Sequence, residues 1–301
     1  MGIPKRVQVV EVGPRDGLQN EAARIATADK VAFVDRLSAA GLTAIEVSAF
    51  VSPTWVPQMA DAGNVFAGIT RRPGVRYSAL VPNLTGLSRA REAAVDTIAI
   101  FAAASQTFSR RNINSTISES LANYAAVCEE ARGAGLDIRA YVSTAFGCPF
   151  EGAVPVDTVA DIAARLMDMG AYEVTLSDTI GVAHPGQVPQ VLEAVTRRVP
   201  LDRVALHFHD TRGTALVNVF AGLQSGITTF DSSAGGLGGC PFAPGAQGNL
   251  ATEDLLYMLN GLGIDTGVSL DTVIEASRTI EPLVGHPLPS RVLRATMRKA
   301  S

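Results

Sequence analysis

Long apolar runs are missing from this chain of 301 residues. Its apolar stretches are short and broken by Gly, Asp or Arg, and none approaches the roughly 18 residues that read as a membrane span. Clusters of Lys and Arg are also missing. With 25 basic and 29 acidic residues the net charge is only −4, so neither nucleic acid nor a membrane is an expected partner. Cysteine is scarce: Cys128, Cys148 and Cys240 are an odd number without CxxC spacing, which argues against a disulfide framework and against a thiolate zinc site. Residues 1–6 run straight into the apolar segment 7–12, without the h-region and cleavage site of a signal peptide or an Arg- and Ser-rich transit segment. A cytoplasmic location with reduced thiols is therefore expected. No P-loop occurs, and no Gly-x-Gly-x-x-Gly leads from a strand into a helix, which disfavours nucleotide-dependent chemistry.

What is present reads as one globular unit. The 47% hydrophobic content is ample for a sizeable core, and 18% charged residues is too few for a disordered chain. Short β-branched runs alternate with Ala-, Leu- and Glu-rich stretches, the pattern of repeated βα units. Eight strands are expected, at residues 7–12, 44–49, 76–81, 97–102, 138–143, 173–177, 203–208 and 228–232. Several, such as Thr97-Ile98-Ala99-Ile100-Phe101, are apolar almost throughout, as parallel strands buried on both faces must be. Between them, apolar residues recur at helical spacing, as in Val31, Val34 and Leu37 or Leu121, Tyr124 and Val127. Gly41, Gly135, Gly170 and Gly226 each sit where a helix should stop. Eight units in about 260 residues match a (β/α)8 TIM barrel, with a doubly wound sheet as the alternative. No linker divides the chain, so residues 1–301 are read as a single catalytic barrel domain, with extra C-terminal helices after about Asp271 packed on its outside.

In such a barrel, chemistry collects where strands end at the C-terminal face. The first strand ends in Gly13-Pro14-Arg15-Asp16-Gly17, the second carries Glu46, the sixth runs into Ser177-Asp178-Thr179, the seventh into His207-Phe208-His209-Asp210-Thr211, and the eighth into Asp231-Ser232-Ser233. His207 and His209, two apart on one strand, point to the same face. Beside Asp16 they make a mixed nitrogen and oxygen ligand set suited to a divalent cation such as Mg, Mn or Zn. The bland alternative is a pair of hydrogen-bonded core histidines, but packing alone explains poorly a polar pair at a strand end followed by Asp-Thr. Arg15 would place a permanent cation there to stabilise an oxyanion such as a thioester enolate; the bland reading, an ion pair with Glu46, is compatible with that role. The segment from Gly235 to Asn249 is glycine-rich and reads either as an active-site lid or as a plain connection. Within it Cys240 is a possible proton donor or nucleophile, or an inert filler. Asn249 could be an ordinary N-cap for a helix expected to begin at Leu250.

Taken together, these motifs resemble the Asp-Arg-Glu TIM-barrel metallolyase superfamily and, within it, the 3-hydroxy-3-methylglutaryl-CoA lyases. The resemblance covers nearly the whole chain. It rests on Glu11-Val12-Gly13-Pro14-Arg15-Asp16-Gly17-Leu18-Gln19-Asn20-Glu21, Trp55-Val56-Pro57-Gln58-Met59, Asn112-Ile113-Asn114, Gly147-Cys148-Pro149, Asp178-Thr179-Ile180-Gly181, His207-x-His209-Asp210-Thr211, Gly238-Gly239-Cys240-Pro241 and Gly248-Asn249-Leu250-Ala251-Thr252-Glu253-Asp254. It implies that Asp16, His207, His209 and Asn249 hold a divalent cation, Mg2+ or Mn2+. It also implies that Arg15 stabilises the enolate, that Asp16 or His207 takes part as base, and that Cys240 is tied to activity. Gln19, Glu46, Asn112 and Asp178 match the positions that bind substrate or surround these groups. The implied reaction is retro-Claisen cleavage of the acyl-CoA thioester to acetyl-CoA and acetoacetate, in an enzyme whose default assembly is a homodimer.

Three departures from the family pattern bear on the acyl group. Ala49 stands where Ser is frequent, Phe242 and Ala243 where Tyr and Gln are common, and Arg212 where an aromatic is usual. A relative acting on citramalyl-CoA or on a longer 3-hydroxy-3-alkylglutaryl-CoA is the alternative they raise. The condensing branch, related to isopropylmalate synthases, is disfavoured because those enzymes carry a further region and commonly read His-x-His-Asn-Asp. A non-catalytic acyl-CoA-binding barrel would require the loss of a reacting residue, and none is lost.

Overall fold

A computed structural model of the protein describes residues 2–239 and 248–297. Eight strands close into one barrel: β1 (Gln8–Glu11), β2 (Ala44–Ala49), β3 (Arg76–Leu80), β4 (Thr97–Ala103), β5 (Asp137–Ser143), β6 (Glu173–Asp178), β7 (Val204–Phe208) and β8 (Thr229–Ser232). Neighbours pair in parallel throughout, and β1 closes the ring against β8 with Val10 opposite Asp231. This is the (β/α)8 barrel, and closure removes the doubly wound sheet, whose edges stay open. β7 starts one residue later than its β-branched run suggests, because Leu201–Arg203 forms a short 3-10 turn behind Pro200. β6 extends one residue further and takes in Asp178.

The surrounding helices follow from local sequence. Ile117–Gly133 opens on a capping box in which Thr116 and Glu119 bond each other's backbone, and it buries Leu121, Tyr124, Val127, Cys128 and Ala131, one face at three- and four-residue spacing. Gly41, Gly135, Gly170 and Gly226 all adopt left-handed φ between helix and strand. At Gly41 the demand is also steric, since a Cβ would lie 2.4 Å from the Gly267 carbonyl oxygen. No helix among the described residues is long and apolar enough to cross a membrane.

The C-terminal helices, Leu270–Val284 and Arg291–Met297, pack outside the barrel as the sequence implies, and they also brace its C-terminal face. Leu288 lies against Gly235, where a Cβ would come within 2.3 Å of its Cδ1, and the Ser290 amide donates to the Gly235 carbonyl at 3.0 Å. Asp254 accepts from the Ser290 hydroxyl and the Arg291 and Val292 amides. The base of the glycine-rich segment, Ala234–Gly236, is thus held by the chain's last helices. Residues 240–247 lie outside the described residues, so the lid reading of that stretch is not addressed by the structure.

Candidate active site

The end of β1 does not stop cleanly. The amides of Arg15, Asp16 and Gly17 all donate to the Val12 carbonyl, which folds Gly13–Gly17 into one wide turn across the mouth of the barrel. Two glycines make the turn possible: a Cβ at Gly13 would sit 2.6 Å from Glu11 Oε1, and one at Gly17 would sit 2.8 Å from Ser233 Oγ. The turn places Arg15 and Asp16 side by side over the lumen, where β7 and the residue after it deliver His207 and His209 with ring centroids 5.2 Å apart.

Asn249 reaches the same place by a different route. It is not a helix cap, since the following helix begins at Thr252 behind Ala251. Residues 248–252 are instead stitched to the strand ends: His209 and Asn249 form a β-bridge, the Leu250 amide donates to the Phe208 carbonyl, and the Ser233 amide to that of Leu250. The Asn249 side-chain amide then donates to Asp16 Oδ2 at 2.9 Å and to the Leu237 carbonyl at 3.0 Å.

Charge within this site is arranged in pairs. The Arg15 guanidinium donates to Glu46 Oε2 through Nε at 2.8 Å and to Asp16 Oδ1, so it touches both carboxylates at once. Burial by itself would raise the Asp16 carboxyl, but Arg15, His207 and His209 override it and hold it well below the usual carboxylate range. Burial, followed by the neighbouring His207, pulls His209 down to about 4, so its imidazole is neutral and free to act as a ligand.

One carboxylate oxygen and one ring nitrogen from each histidine, on Asp16, His207 and His209, come within 4.8 Å of one another. Asn249 Oδ1, Gln19 Oε1 and His209 Nδ1 are buried without a hydrogen-bond partner among the described residues. Buried polar atoms left unpaired are costly, and the carboxylate oxygen and ring nitrogens gathered at Asp16, His207 and His209 suit a divalent cation. The residues present therefore fit the metal that the sequence implies.

A cleft of about 160 Å³, partly open to solvent, leads to this cluster. Arg15, Asp16, Gln19, Asn112, His207 and His209 line it, with Leu80, Phe101 and Phe108 forming an apolar wall. Glu46 lies behind Arg15, wholly buried, and does not face the cleft. The Asp178 carboxylate also turns away: it accepts from the Val182 and Ala183 amides, tying the turn after β6, and burial lifts it to about 6. Cys240 lies outside the described residues.

The chain matches the HMGL-like family model over residues 6–280. It belongs to the HMGL-like family. Among family members, the 3-hydroxy-3-isohexenylglutaryl-CoA/hydroxymethylglutaryl-CoA lyase of Pseudomonas aeruginosa is 53% identical over 300 residues, covering 100% of both chains. A crystal structure of hydroxymethylglutaryl-CoA lyase from Pseudomonas aeruginosa superposes with a TM-score of 0.98 at 53% identity, over 100% of each chain. The HMG-CoA lyase of Acinetobacter baumannii, solved in complex with coenzyme A and 3-methylmalate, superposes with a TM-score of 0.93 at 40% identity, over 97% of this chain and 95% of that one.

Within this family frame the three departures separate. Ala49 is wholly buried in the main apolar core, and it is not among the residues that line the cleft. Arg212 is exposed and donates to the Ile180 and Gly181 carbonyls, clamping the turn after β6. Phe242 lies outside the described residues. Sequence reasoning missed Arg139, and it noted Asp231 only as a polar strand end. Both are buried in the lumen, with the Asp231 carboxylate against His207 and against the Arg139 guanidinium. The available signal was Arg139 itself, an arginine between Ile138 and Ala140 in a strand.

Proposed function

We propose that the protein is a carbon–carbon lyase that cleaves 3-hydroxy-3-methylglutaryl-CoA to acetyl-CoA and acetoacetate with the help of a divalent cation, Mg2+ or Mn2+. The observation that carries this reading is the Asp16, His207 and His209 cluster beside Arg15 at the floor of one cleft. The 53% identical relative, a lyase by name, supports it. Asp16, His207, His209 and Asn249 would hold the cation. When bound, it supplies Lewis-acid polarisation of the substrate's hydroxyl and carbonyl oxygens.

The residues of the chain account for the rest. Asp16 or His207 takes part in removing the proton from the tertiary hydroxyl. As the C2–C3 bond breaks, its electrons collect on the thioester oxygen, and the Arg15 guanidinium is placed to meet that charge. Glu46 holds Arg15 from behind at 2.8 Å, so the guanidinium does not have to reorganise as charge develops. Cys240, or a water it positions, is the proposed acid that delivers the proton completing acetyl-CoA. Gln19 and Asn112 are the proposed polar contacts to the substrate. We read residues 1–301 as one catalytic unit, cytoplasmic, and a homodimer by default.

A second reading, a longer 3-hydroxy-3-alkylglutaryl-CoA as substrate, is favoured by the apolar wall of Leu80, Phe101 and Phe108. A panel of purified thioesters given to the metal-loaded enzyme decides between them. Release of acetyl-CoA and acetoacetate that stops on chelation and returns with Mg2+ or Mn2+ is expected. Activity that survives exhaustive chelation would overturn the metal assignment, and turnover confined to longer acyl groups would replace the substrate.

A further inference from the structure

His207 and His209 are alike in sequence but not in what holds them. His209 Nε2 lies 3.9 Å from Asp16 Oδ2, while its Nδ1 has no partner among the described residues. His207 Nδ1, in contrast, lies 3.3 Å from Asp231 Oδ2. This contact is built into the barrel: His207 on β7 and Asp231 on β8 are register partners, and both are buried. With Nδ1 engaged below, Nε2 is the nitrogen His207 has left for the cleft and the cation cluster.

Asp231 is itself anchored from the far side. Arg139 on β5 donates to Asp231 Oδ1 through one terminal nitrogen at 2.7 Å and to Oδ2 through the other at 3.2 Å. The same guanidinium donates to Glu173 Oε1 and to the Tyr141 hydroxyl, both at 2.7 Å. The Tyr141 hydroxyl in turn lies 3.4 Å from Glu46 Oε2, the oxygen that holds Arg15. One buried guanidinium therefore supports two arms, one ending at His207 and the other at Arg15 and Asp16. A two-point grip leaves the Asp231 carboxylate one direction in which to act, and that direction is His207 Nδ1.

We infer that Asp231 is a positioning residue: gripped by Arg139, it takes the Nδ1 proton of His207 as a hydrogen bond and so fixes the tautomer whose Nε2 lone pair faces the cation. A carboxylate behind a ligating histidine sets both ring orientation and basicity. Without it His207 keeps its place on β7 but presents its ligand atom only part of the time. The inference rests on the proposed cation ligands.

The test uses the full-length protein. In Asp231→Asn the Arg139 fork still demands acceptors, so the amide oxygen stays with Arg139 and the amide nitrogen turns to His207, which reverses the tautomer. Mn2+ binding, read from the electron paramagnetic resonance of the free ion, is expected to weaken by about 10- to 100-fold while circular dichroism is unchanged. Equal Mn2+ affinity in a folded Asp231→Asn protein would overturn the inference. A second measurement needs no variant: nitrogen-15 spectra of the wild-type imidazoles, only four in the chain, are expected to show His207 protonated on Nδ1. Protonation on Nε2 instead would also overturn it. Wild-type protein that binds no Mn2+ at all, yet shows the Nδ1–H form, would remove the proposed metal site and leave the Asp231 contact as packing alone.

Discussion

At the scale of single residues, the site is economical: Arg15 touches Glu46 on one side and Asp16 on the other, so one guanidinium serves both the reaction centre and the lumen behind it. The arrangement was partly legible beforehand. An ion pair with Glu46 and an oxyanion role are compatible readings of Arg15 from the sequence, and the structure has the pair, made through Nε and one terminal nitrogen, with Arg15 lining the cleft. Replacement of Arg15 by Met removes the charge but keeps most of the volume. Turnover in a product-release assay is expected to fall by about 10²- to 10³-fold, as for loss of a preorganised oxyanion donor. A change in KM alone, with kcat preserved, would count against that role.

At the scale of elements, two buried carboxyls lock the segment after β8. Glu11 accepts from the Gly13 and Ala234 amides and the Thr252 hydroxyl, and Glu253 accepts from the Gly235 amide and the Ser277 hydroxyl. Burial pushes Glu11 up to about 8 and Glu253 up to about 7, from an ordinary 4.5. A carboxyl raised in the folded state stabilises fully below its unfolded value, and that contribution is lost as pH rises through the folded one. Thermal stability is therefore expected to decline between about pH 4.5 and 8 on account of Glu11. The neutral Glu11→Gln variant, followed by calorimetry across that range, should flatten the decline; an unchanged slope would show that Glu11 does not titrate there. None of this was visible in the sequence, where Glu11 falls inside the expected strand 7–12 and Glu253 inside the helix expected from Leu250. Their burial is imposed by the turn Gly13–Gly17 and by Ala234–Gly236 closing over them.

At the scale of the whole molecule, the C-terminal helices matter to the catalytic face although they lie outside the barrel. Leu288, buried against Gly235, ties the connection between the two C-terminal helices to the segment after β8. Leu288→Ala is expected to cost about 2–5 kcal/mol in urea unfolding, and to lower activity under conditions where the protein remains folded. Full activity in the folded variant would show that the brace is structural only. The sequence by itself determined the eight strands to within a residue or so, the helix-ending glycines, and the set of Arg15, Asp16, His207 and His209, because periodicity, glycine conformation and residue chemistry are local properties. It could not show how Asn249 reaches Asp16, which backbone pairing beside β7 achieves across 233 positions. Nor could it reveal Arg139 and Asp231, whose meeting in the lumen depends on barrel closure bringing β5 and β8 across from each other. Which charges are buried together, and which therefore must be paired, is a property of closure, and only the tertiary structure decided it.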